Sequence, residues 1–269
     1  MNEYARQDKI MKTMKDIFLP KRTKTNQNKP LNTNKIMEQN KNTKGWTAKA
    51  ENSKESVKPG ASKIHNLIIV DESGSMSSLY NAALTGMNET LETIRQLAKD
   101  CPGQKQEVTL VTFDTGHYNQ IFKSAPVEQT RELTPQDYRP RGGTPLYDAM
   151  GKALSDLEPE VRENEAVLVT VITDGYENAS CEFSLADIRA LVERLDSAGW
   201  VFTYIGANQD SAAVGASMGI ADTLDFKADE VSMKQMWEEE RNARVEFANI
   251  SQASGFCPKE YKRGKFFKH

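Results

Sequence analysis

Three short segments of the sequence combine acidic and hydroxyl side chains. They are Asp71-Glu72-Ser73-Gly74-Ser75-Met76, Arg141-Gly142-Gly143-Thr144-Pro145-Leu146 and Asp174-Gly175-Tyr176-Glu177-Asn178. Carboxylate and hydroxyl oxygens are the ligands that hard cations such as Mg²⁺ prefer in proteins. The same residue types also cap helices and loops. Each of these side chains, taken singly, therefore has two interpretations, as a metal ligand or as a structural cap.

The capping interpretation is specific enough to be tested. Thr144 precedes Pro145, and this pair is typical of an N-cap followed by the first helical residue. Asp71 and Asp174 follow apolar runs and can cap the loops there. Four serines precede a helical pattern that begins near Leu79 and can cap that helix: Ser73, Ser75, Ser77 and Ser78.

Apolar runs and amphipathic patterns alternate around the three polar segments. The runs predict buried parallel strands, and they cover Asn66 to Val70, Val108 to Phe113, Ala166 to Thr173, Trp200 to Ile205 and, as a short fifth strand, Thr223 to Phe226. The amphipathic patterns predict helices at Leu79 to Ala98, Pro145 to Leu157, Ser184 to Ser197 and Met233 to Ile250. This alternation predicts an α/β fold, a doubly wound sheet with helices on both faces.

One hairpin breaks the parallel pattern. Asp114-Thr115-Gly116-His117 separates the second strand from a run at Tyr118 to Phe122, which predicts an antiparallel edge strand. The sheet is therefore expected to be mostly parallel with one reversed edge strand. Ligands of such sheets bind beyond the carboxyl ends of the strands, so we expect the three polar segments to meet there.

Together the three segments resemble the metal-ion-dependent adhesion site (MIDAS) of von Willebrand factor A (VWA) domains. In that family, Asp-x-Ser-x-Ser is followed by a distant Thr and by a distant Asp after a later strand. The resemblance covers about Ile64 to Ile250 and extends to stand-alone bacterial or phage VWA proteins. It implies a VWA/Rossmann-like fold and five metal-site residues: Asp71, Ser73, Ser75, Thr144 and Asp174.

The resemblance also implies how such a site is used. The ion is expected to be Mg²⁺ or Mn²⁺, with Ca²⁺ left open, and to accept an Asp or Glu of a protein partner. Gly142 and Gly143 are expected to form a tight turn that brings the Thr144 hydroxyl to the ion. Glu72 departs from the small or apolar residue that is commoner at its place. The candidate residues for a partner-binding rim are Met76, Arg141, Tyr147, Tyr176 and Glu177, with Asn178 beside them.

Charge is unevenly distributed along the chain, whose net charge is -3. Lys and Arg exceed Asp and Glu in residues 1–63, whereas acidic residues prevail in the remainder. We predict a short amphipathic helix in residues 1–20, a disordered basic linker in residues 21–62, a VWA domain in residues 63–256 and a basic C-terminal tail in residues 257–269. The tail is either frayed or packed on the acidic domain.

Two other functions compete with a metal-dependent protein-binding module. Haloacid dehalogenase-like phosphohydrolases also place an Asp after the first strand, but they require a second Asp two residues later, where this chain has Ser73. The sequence also lacks a GxxxxGK[ST] phosphate loop, so an enzyme is not expected. The other alternative is a nucleic-acid-associated adaptor that binds through the basic arm.

The sequence also supports a prediction about location. It predicts neither a signal peptide nor a transmembrane helix. Three cysteines at unrelated spacings fit free thiols in a reducing compartment. We therefore expect a cytoplasmic protein that does not engage a membrane.

Overall fold

The computed structural model describes residues 60–261 and 264–267. The predicted helix in residues 1–20 and nearly all of the predicted linker in residues 21–62 lie outside these ranges. The described strands are β1 (Lys63–Asp71), β2 (Lys105–Asp114), β3 (His117–Pro126), β4 (Glu165–Thr173), β5 (Val201–Ala207) and β6 (Asp222–Phe226). The described α-helices are α1 (Tyr80–Asp100), α2 (Leu146–Leu157), α3 (Leu185–Ser197), α4 (Ser211–Ser217) and α5 (Glu230–Gln252).

The strands form one sheet in the order β3-β2-β1-β4-β5-β6. All neighbouring strands are parallel except β3, which pairs antiparallel with β2 at one edge. This arrangement confirms the predicted doubly wound sheet with a reversed edge strand. Asp71 lies opposite Phe113 of β2, and Val70 lies opposite Ile172 of β4. The central strands therefore end at the same edge of the sheet.

Helices cover both faces of the sheet because successive side chains of each strand point to opposite sides. In β1, Ile68 and Val70 belong to the core on the side of α1 and α5. Leu67 and Ile69 belong to the core on the side of α2 and α3. A continuous apolar run is what a strand covered on both faces requires.

A buried polar network ties α5 to the middle of the sheet. Arg244 is 1% exposed, and its guanidinium donates to Asn66 Oδ1 at 2.7 Å and to Thr170 Oγ1 at 2.9 Å. Its Nε also donates to Glu240 Oε1 at 3.0 Å, four residues earlier on the same helix. The Asn66 amide continues the network by donating to Gln106 Oε1 at 3.1 Å. These bonds connect α5 with β1, β2 and β4.

The C-terminal residues that the structure describes are packed on the domain. Phe266 and Phe267 are buried in the core on the α5 side. The backbone N–H groups of Gly264 and Phe266 donate to the Asp222 carboxylate at 3.0 and 2.7 Å. Of the two expectations for the basic tail, packing on the domain therefore holds for these residues.

Two further expectations concern the cysteines and membrane-spanning helices. Cys101, Cys181 and Cys257 are all free, as predicted. Within residues 60–261 and 264–267, no helix has both the length and the apolar character needed to cross a bilayer.

Candidate metal site

The three polar segments meet at the carboxyl edge of the sheet. Asp71 ends β1, and Asp174 directly follows β4, the neighbouring parallel strand. Ser75 lies in a 3-10 turn (Gly74–Leu79) that leads from β1 into α1, and Ser73 directly precedes this turn. The middle segment is joined to this loop because Gly74 N–H donates to the Gly142 carbonyl at 3.0 Å. The predicted convergence of the three segments is thus present.

Asp71 is fully buried and held by two hydrogen bonds. Its Oδ1 accepts the backbone N–H of Ser73 at 2.7 Å, and its Oδ2 accepts the Thr173 hydroxyl at 2.6 Å. Burial raises the pKa of this carboxyl to about 6, although these hydrogen bonds work in the opposite direction, and the nearby Asp174 charge adds to the rise. The fold therefore fixes the position of this carboxylate at an electrostatic cost.

Serine hydroxyls connect the two carboxylates. The Ser73 and Ser75 hydroxyl oxygens lie 3.1 Å apart, and the Ser75 hydroxyl donates to Asp174 Oδ1 at 2.6 Å. Burial also raises the pKa of Asp174, against the effect of the Ser75 bond. Within the described ranges, neither Asp71 nor Asp174 forms an ion pair with Lys, Arg or His. Two negative charges therefore meet here without a protein cation.

Thr144 is oriented toward the same place by Asn178. The Thr144 N–H donates to Asn178 Oδ1 at 2.9 Å, and its carbonyl accepts the Asn178 N–H at 3.1 Å. A Cβ atom placed on Gly175 would lie 3.3 Å from the Thr144 hydroxyl and 3.8 Å from the Ser75 hydroxyl. Gly142 has a φ of +67°, as a tight turn before Thr144 requires. Hydroxyls from two segments thus converge beside the residue that follows Asp174.

The helix boundaries test the capping interpretation at Thr144 and Ser73, and it is wrong at both positions. Helix α2 begins at Leu146 with Pro145 at the N-cap, and no side chain caps it, so Thr144 is not its cap. Ser73 precedes the 3-10 turn, and its hydroxyl makes no capping bond there. The Ser77 hydroxyl instead donates to the Gly74 carbonyl at 2.7 Å. The hydroxyls of Ser73 and Thr144 are therefore available for another role.

The predicted rim needs one correction. Met76 is 0% exposed and packs in the core beneath the 3-10 turn, so its side chain cannot form part of a rim. Hydrophobic burial of this methionine anchors the turn. Tyr176 is 60% exposed, and Arg141 is exposed while its Nε pairs with Asp114 Oδ2 at 2.9 Å. Both lie on the surface of the segments that carry the candidate metal-site residues.

Two further rim candidates, Tyr147 and Glu177, form hydrogen bonds within the protein, and so does Glu72 from the first segment. Glu177 accepts hydrogen bonds inside its own loop, where its Oε1 receives the N–H groups of Ala179 and Ser180 at 2.8 and 2.7 Å. Glu177 also accepts the N–H of Tyr147 at 3.0 Å, which links two of the site's segments. The buried Glu72 carboxylate accepts the backbone N–H of Arg139. These carboxylates shape the loops around the site.

The supporting roles of three residues were not anticipated from the sequence, although Asn178 had been considered for the rim. Thr173 binds Asp71, Asn178 clamps Thr144, and the buried Tyr138 hydroxyl donates to the Asp71 carbonyl at 2.7 Å. Thr173 carried a signal, because it is a hydroxyl residue at the end of an apolar strand. Tyr138 lies in a loop without a pattern that marks it.

The donor set fits a hard divalent cation. Among the described residues, no three His, Cys, Asp or Glu side chains form a metal-binding group, so a cation at this edge depends on hydroxyl ligands. Two uncompensated carboxylates and three nearby hydroxyls provide oxygen donors only, which suits Mg²⁺, Mn²⁺ or Ca²⁺ and excludes a thiolate-type site.

Comparison with known proteins agrees with this architecture. The sheet resembles that of the pilus adhesin SpaC from Lactobacillus rhamnosus GG, with 13% identity and a TM-score of 0.53 over 71% of this chain and 30% of that chain. It also resembles a von Willebrand factor type A protein from Catenulispora acidiphila, with 14% identity and a TM-score of 0.49 over 71% of this chain and 43% of that chain.

A third solved structure, the von Willebrand factor domain of a type V pilus tip protein from Porphyromonas gingivalis, is 9% identical, with a TM-score of 0.49 over 73% of this chain and 99% of that chain. This chain thus spans less than half of the SpaC and Catenulispora chains, and the likenesses concern the fold alone. No curated protein sequence matches the chain significantly. The von Willebrand factor type A domain family matches residues 67–237, more than half of the sequence. The chain therefore belongs to the von Willebrand factor type A domain family.

Proposed function

We propose that this protein is a metal-dependent protein-binding module. Domains of this family commonly mediate protein interaction or adhesion. In the proposal, one divalent cation is held by Asp71, Ser73, Ser75, Thr144 and Asp174, and it coordinates an Asp or Glu of the partner. The observation that carries the proposal is that the buried Asp71 carboxylate and the partly buried Asp174 carboxylate are linked through Ser73 and Ser75 and have no cationic partner among the described residues.

The donor set explains why such an ion would bind a partner. Two carboxylates leave a divalent ion electrostatically unsaturated toward a further anionic ligand, and Mg²⁺ usually keeps several exchangeable waters. When bound, the ion supplies a Lewis-acidic position that an incoming carboxylate can fill. The exposed Tyr176 and Arg141 side chains beside the site then contribute to the choice of partner. We propose Mg²⁺ first, with Mn²⁺ as a substitute and Ca²⁺ as a further candidate.

A binding function is favoured over catalysis by the surroundings of the site. Ser73 stands where the phosphohydrolase alternative needs a carboxylate acid/base. The buried His65 is at the opposite edge of the sheet, near the start of β1, where it bonds Glu165 at 2.8 Å. The cytoplasmic location and the lack of a membrane partner stay predictions from the sequence, and a nucleic-acid-associated adaptor stays the alternative to them.

Replacing Asp174 with asparagine is expected to weaken Mg²⁺ binding by about tenfold or more, because one of only two carboxylates in the site is lost. The Ser75 hydroxyl can still donate to the asparagine oxygen, so the loop should keep its structure. Calorimetric titration of the full chain with Mg²⁺ measures the effect. Ser77→Ala removes a hydroxyl of the same turn that bonds the Gly74 carbonyl, and it should leave the affinity unchanged. Equal affinities for wild type and Asp174→Asn would refute the metal assignment.

Replacing Thr144 with alanine separates ion binding from ion use. Both carboxylates remain, so Mg²⁺ should still bind with a modest loss. Partner affinity should fall by about 1–3 kcal/mol, on the scale of a hydrogen bond to a charged group, because a hydroxyl that supports the partner-accepting state is removed. Partners captured from a lysate with and without EDTA can be identified and then titrated against both proteins. Unchanged affinity for an EDTA-sensitive partner would show that Thr144 has no part in binding.

A further inference from the structure

The turn that carries Thr144 contacts the β2–β3 hairpin, an element with no role in the function proposed so far. Thr115 and Gly116 lie between the end of β2 and the start of β3. The Thr115 hydroxyl oxygen accepts the backbone N–H of Gly143 at 2.6 Å. The hairpin turn is itself fixed, because Asp114 Oδ1 accepts the Gly116 N–H at 2.6 Å. A residue outside the three polar segments therefore binds the residue directly before Thr144.

Thr115 and Asn178 hold this turn from two sides. The Gly143 N–H donates to Thr115, and the next N–H along the chain, that of Thr144, donates to Asn178 Oδ1 at 2.9 Å. A Cβ atom on Gly143 would lie 2.9 Å from the Thr115 hydroxyl oxygen and 2.7 Å from Asn178 Oδ1, so an alanine here would displace both side chains. Gly143 does not have a positive φ. Close contact on both sides, rather than backbone strain, therefore accounts for this glycine.

The other hydrogen bonds of the turn leave Gly143 dependent on Thr115. On one side, the Gly142 carbonyl accepts the Gly74 N–H at 3.0 Å, which ties the turn to the first segment. On the other side, Asn178 binds the backbone of Thr144. Among the described residues, the hydrogen-bond partner of the Gly143 backbone between these two points is Thr115. The hairpin therefore supplies the bond that completes the turn.

The conformation of this turn decides where the Thr144 hydroxyl lies. Two successive glycines have wide conformational freedom, so contacts outside the turn must select one conformation. Gly142 has a φ of +67°, and Gly143 directly precedes the buried Thr144. Rotation about the backbone bonds of Gly143 would move the Thr144 peptide and its side chain. The bond from Gly143 to Thr115 opposes that rotation.

We propose that Thr115 is a positioning residue of the metal site. Its hydroxyl selects the conformation of the Gly142-Gly143 turn that directs the Thr144 hydroxyl to the ion, and it does not touch the ion itself. Thr115 is exposed, so it acts through its bond to Gly143 and not through core packing. The effect on the ion rests on the proposed function, whereas the effect on the turn does not. The β2–β3 turn is then a fourth segment of the site.

The effect on the turn is tested first, in full-length protein with EDTA. Thr115→Val keeps the branched shape and loses the hydroxyl, whereas Thr115→Ser keeps the hydroxyl. Amide hydrogen exchange is followed by NMR at Thr144, whose N–H binds Asn178 and not Thr115. It should be about two- to tenfold faster in Thr115→Val, the range for one lost hydrogen bond, and unchanged in Thr115→Ser. In the control Thr109→Val, the lost hydroxyl accepts the Ser124 N–H at 3.0 Å, and exchange at Thr144 should not change. Unchanged exchange in Thr115→Val would overturn the proposal.

The effect on the ion is tested by calorimetric titration of the same proteins with Mg²⁺. Thr115→Val should weaken Mg²⁺ binding by about two- to tenfold, and Thr115→Ser should bind as wild type does. In a Thr144→Ala background, Thr115→Val should cause no further loss, because a residue that acts through the Thr144 hydroxyl has no effect once that hydroxyl is gone. Additive losses would refute the positioning role. If wild type does not bind Mg²⁺, the metal function fails, while the exchange measurement still decides whether Thr115 holds the turn.

Discussion

Replacing Arg244 with methionine is expected to lower the free energy of unfolding by about 3–5 kcal/mol, because removal of one partner leaves a buried charge unpaired. Glu240 is 0% exposed, and the cation that it pairs with among the described residues is Arg244. The substitution also leaves Asn66 Oδ1 and Thr170 Oγ1 without the guanidinium that binds them. Denaturant unfolding of the full chain measures the loss.

Arg189→Met provides a matched control. Arg189 and Glu193 have the same four-residue spacing on α3 and an N–O distance of 3.0 Å, but their side chains are 56% and 49% exposed. Exposed pairs contribute about 0–1 kcal/mol, so this variant should be nearly as stable as wild type. The double variant Arg244→Met/Glu240→Leu should recover much of the lost stability, since it removes both buried charges. Equal effects of Arg244→Met and Arg189→Met would contradict the role given to the network.

The positions of the buried strands were predictable because each is a continuous apolar run, but the start of β1 was not. The run suggested Asn66, whereas the strand begins at Lys63. Polar residues continue this strand because their side chains have partners: Lys63 forms an ion pair with Glu107 at 2.8 Å, and His65 is hydrogen-bonded to Glu165 at 2.8 Å. Such pairs join residues far apart in sequence, so local hydropathy does not reveal them.

Helix α4 illustrates a different limit of sequence patterns. Its sequence, Ser211–Ser217, contains mostly small residues, so no amphipathic stripe marks it. The helix forms because Asp210 caps it through the Ala213 N–H and because Gly215 packs tightly against Thr223 of β6. A Cβ on Gly215 would lie 2.5 Å from the Thr223 methyl group. Close tertiary packing, rather than helical periodicity, therefore determines this element.

The convergence of the three site segments was also predictable, since they follow adjacent strands or enter a helix at one edge. The direction of each side chain was not. Met76 is separated from the predicted ligand Ser75 by one peptide bond, yet the turn buries it. Asn178 was considered for the rim but instead binds the Thr144 backbone. Loop geometry decides both outcomes, and it depends on hydrogen bonds between segments that the sequence separates widely.

Replacing Asp71 with asparagine is expected to stabilise the metal-free protein at pH 7 and to abolish its response to Mg²⁺. A carboxyl whose pKa is raised to about 6 binds protons more tightly in the folded than in the unfolded state. Its ionised form therefore destabilises the fold at pH 7, by roughly 1–3 kcal/mol for a shift of this size. Asparagine removes that charge while its oxygen can still accept the Ser73 N–H, and its amide can donate to the Thr173 oxygen.

The direction in which stability changes with pH follows from the raised pKa of Asp71. In EDTA, the wild-type contribution from Asp71 improves as the pH falls from about 7 toward 4, whereas Asp71→Asn lacks this gain. Excess Mg²⁺ reverses the order of stability, because an ion at about 100 times its dissociation constant adds about 2.7 kcal/mol to a protein that binds it. Denaturant unfolding of both proteins, with EDTA and with Mg²⁺ at each pH, measures all of these changes.

Asp114→Asn is the matched control for this experiment. Asp114 ends the neighbouring strand β2 and accepts the N–H of Gly116 at 2.6 Å, two residues later, as Asp71 accepts that of Ser73. Its carboxylate differs in having a cationic partner, because its Oδ2 lies 2.9 Å from Arg141 Nε. Loss of the Asp114 carboxylate should therefore slightly destabilise the metal-free protein and leave the gain in stability from Mg²⁺ unchanged. If Asp71→Asn gained as much stability from Mg²⁺ as Asp114→Asn does, the buried carboxylate of Asp71 would not be a metal ligand, and its burial would need another cause.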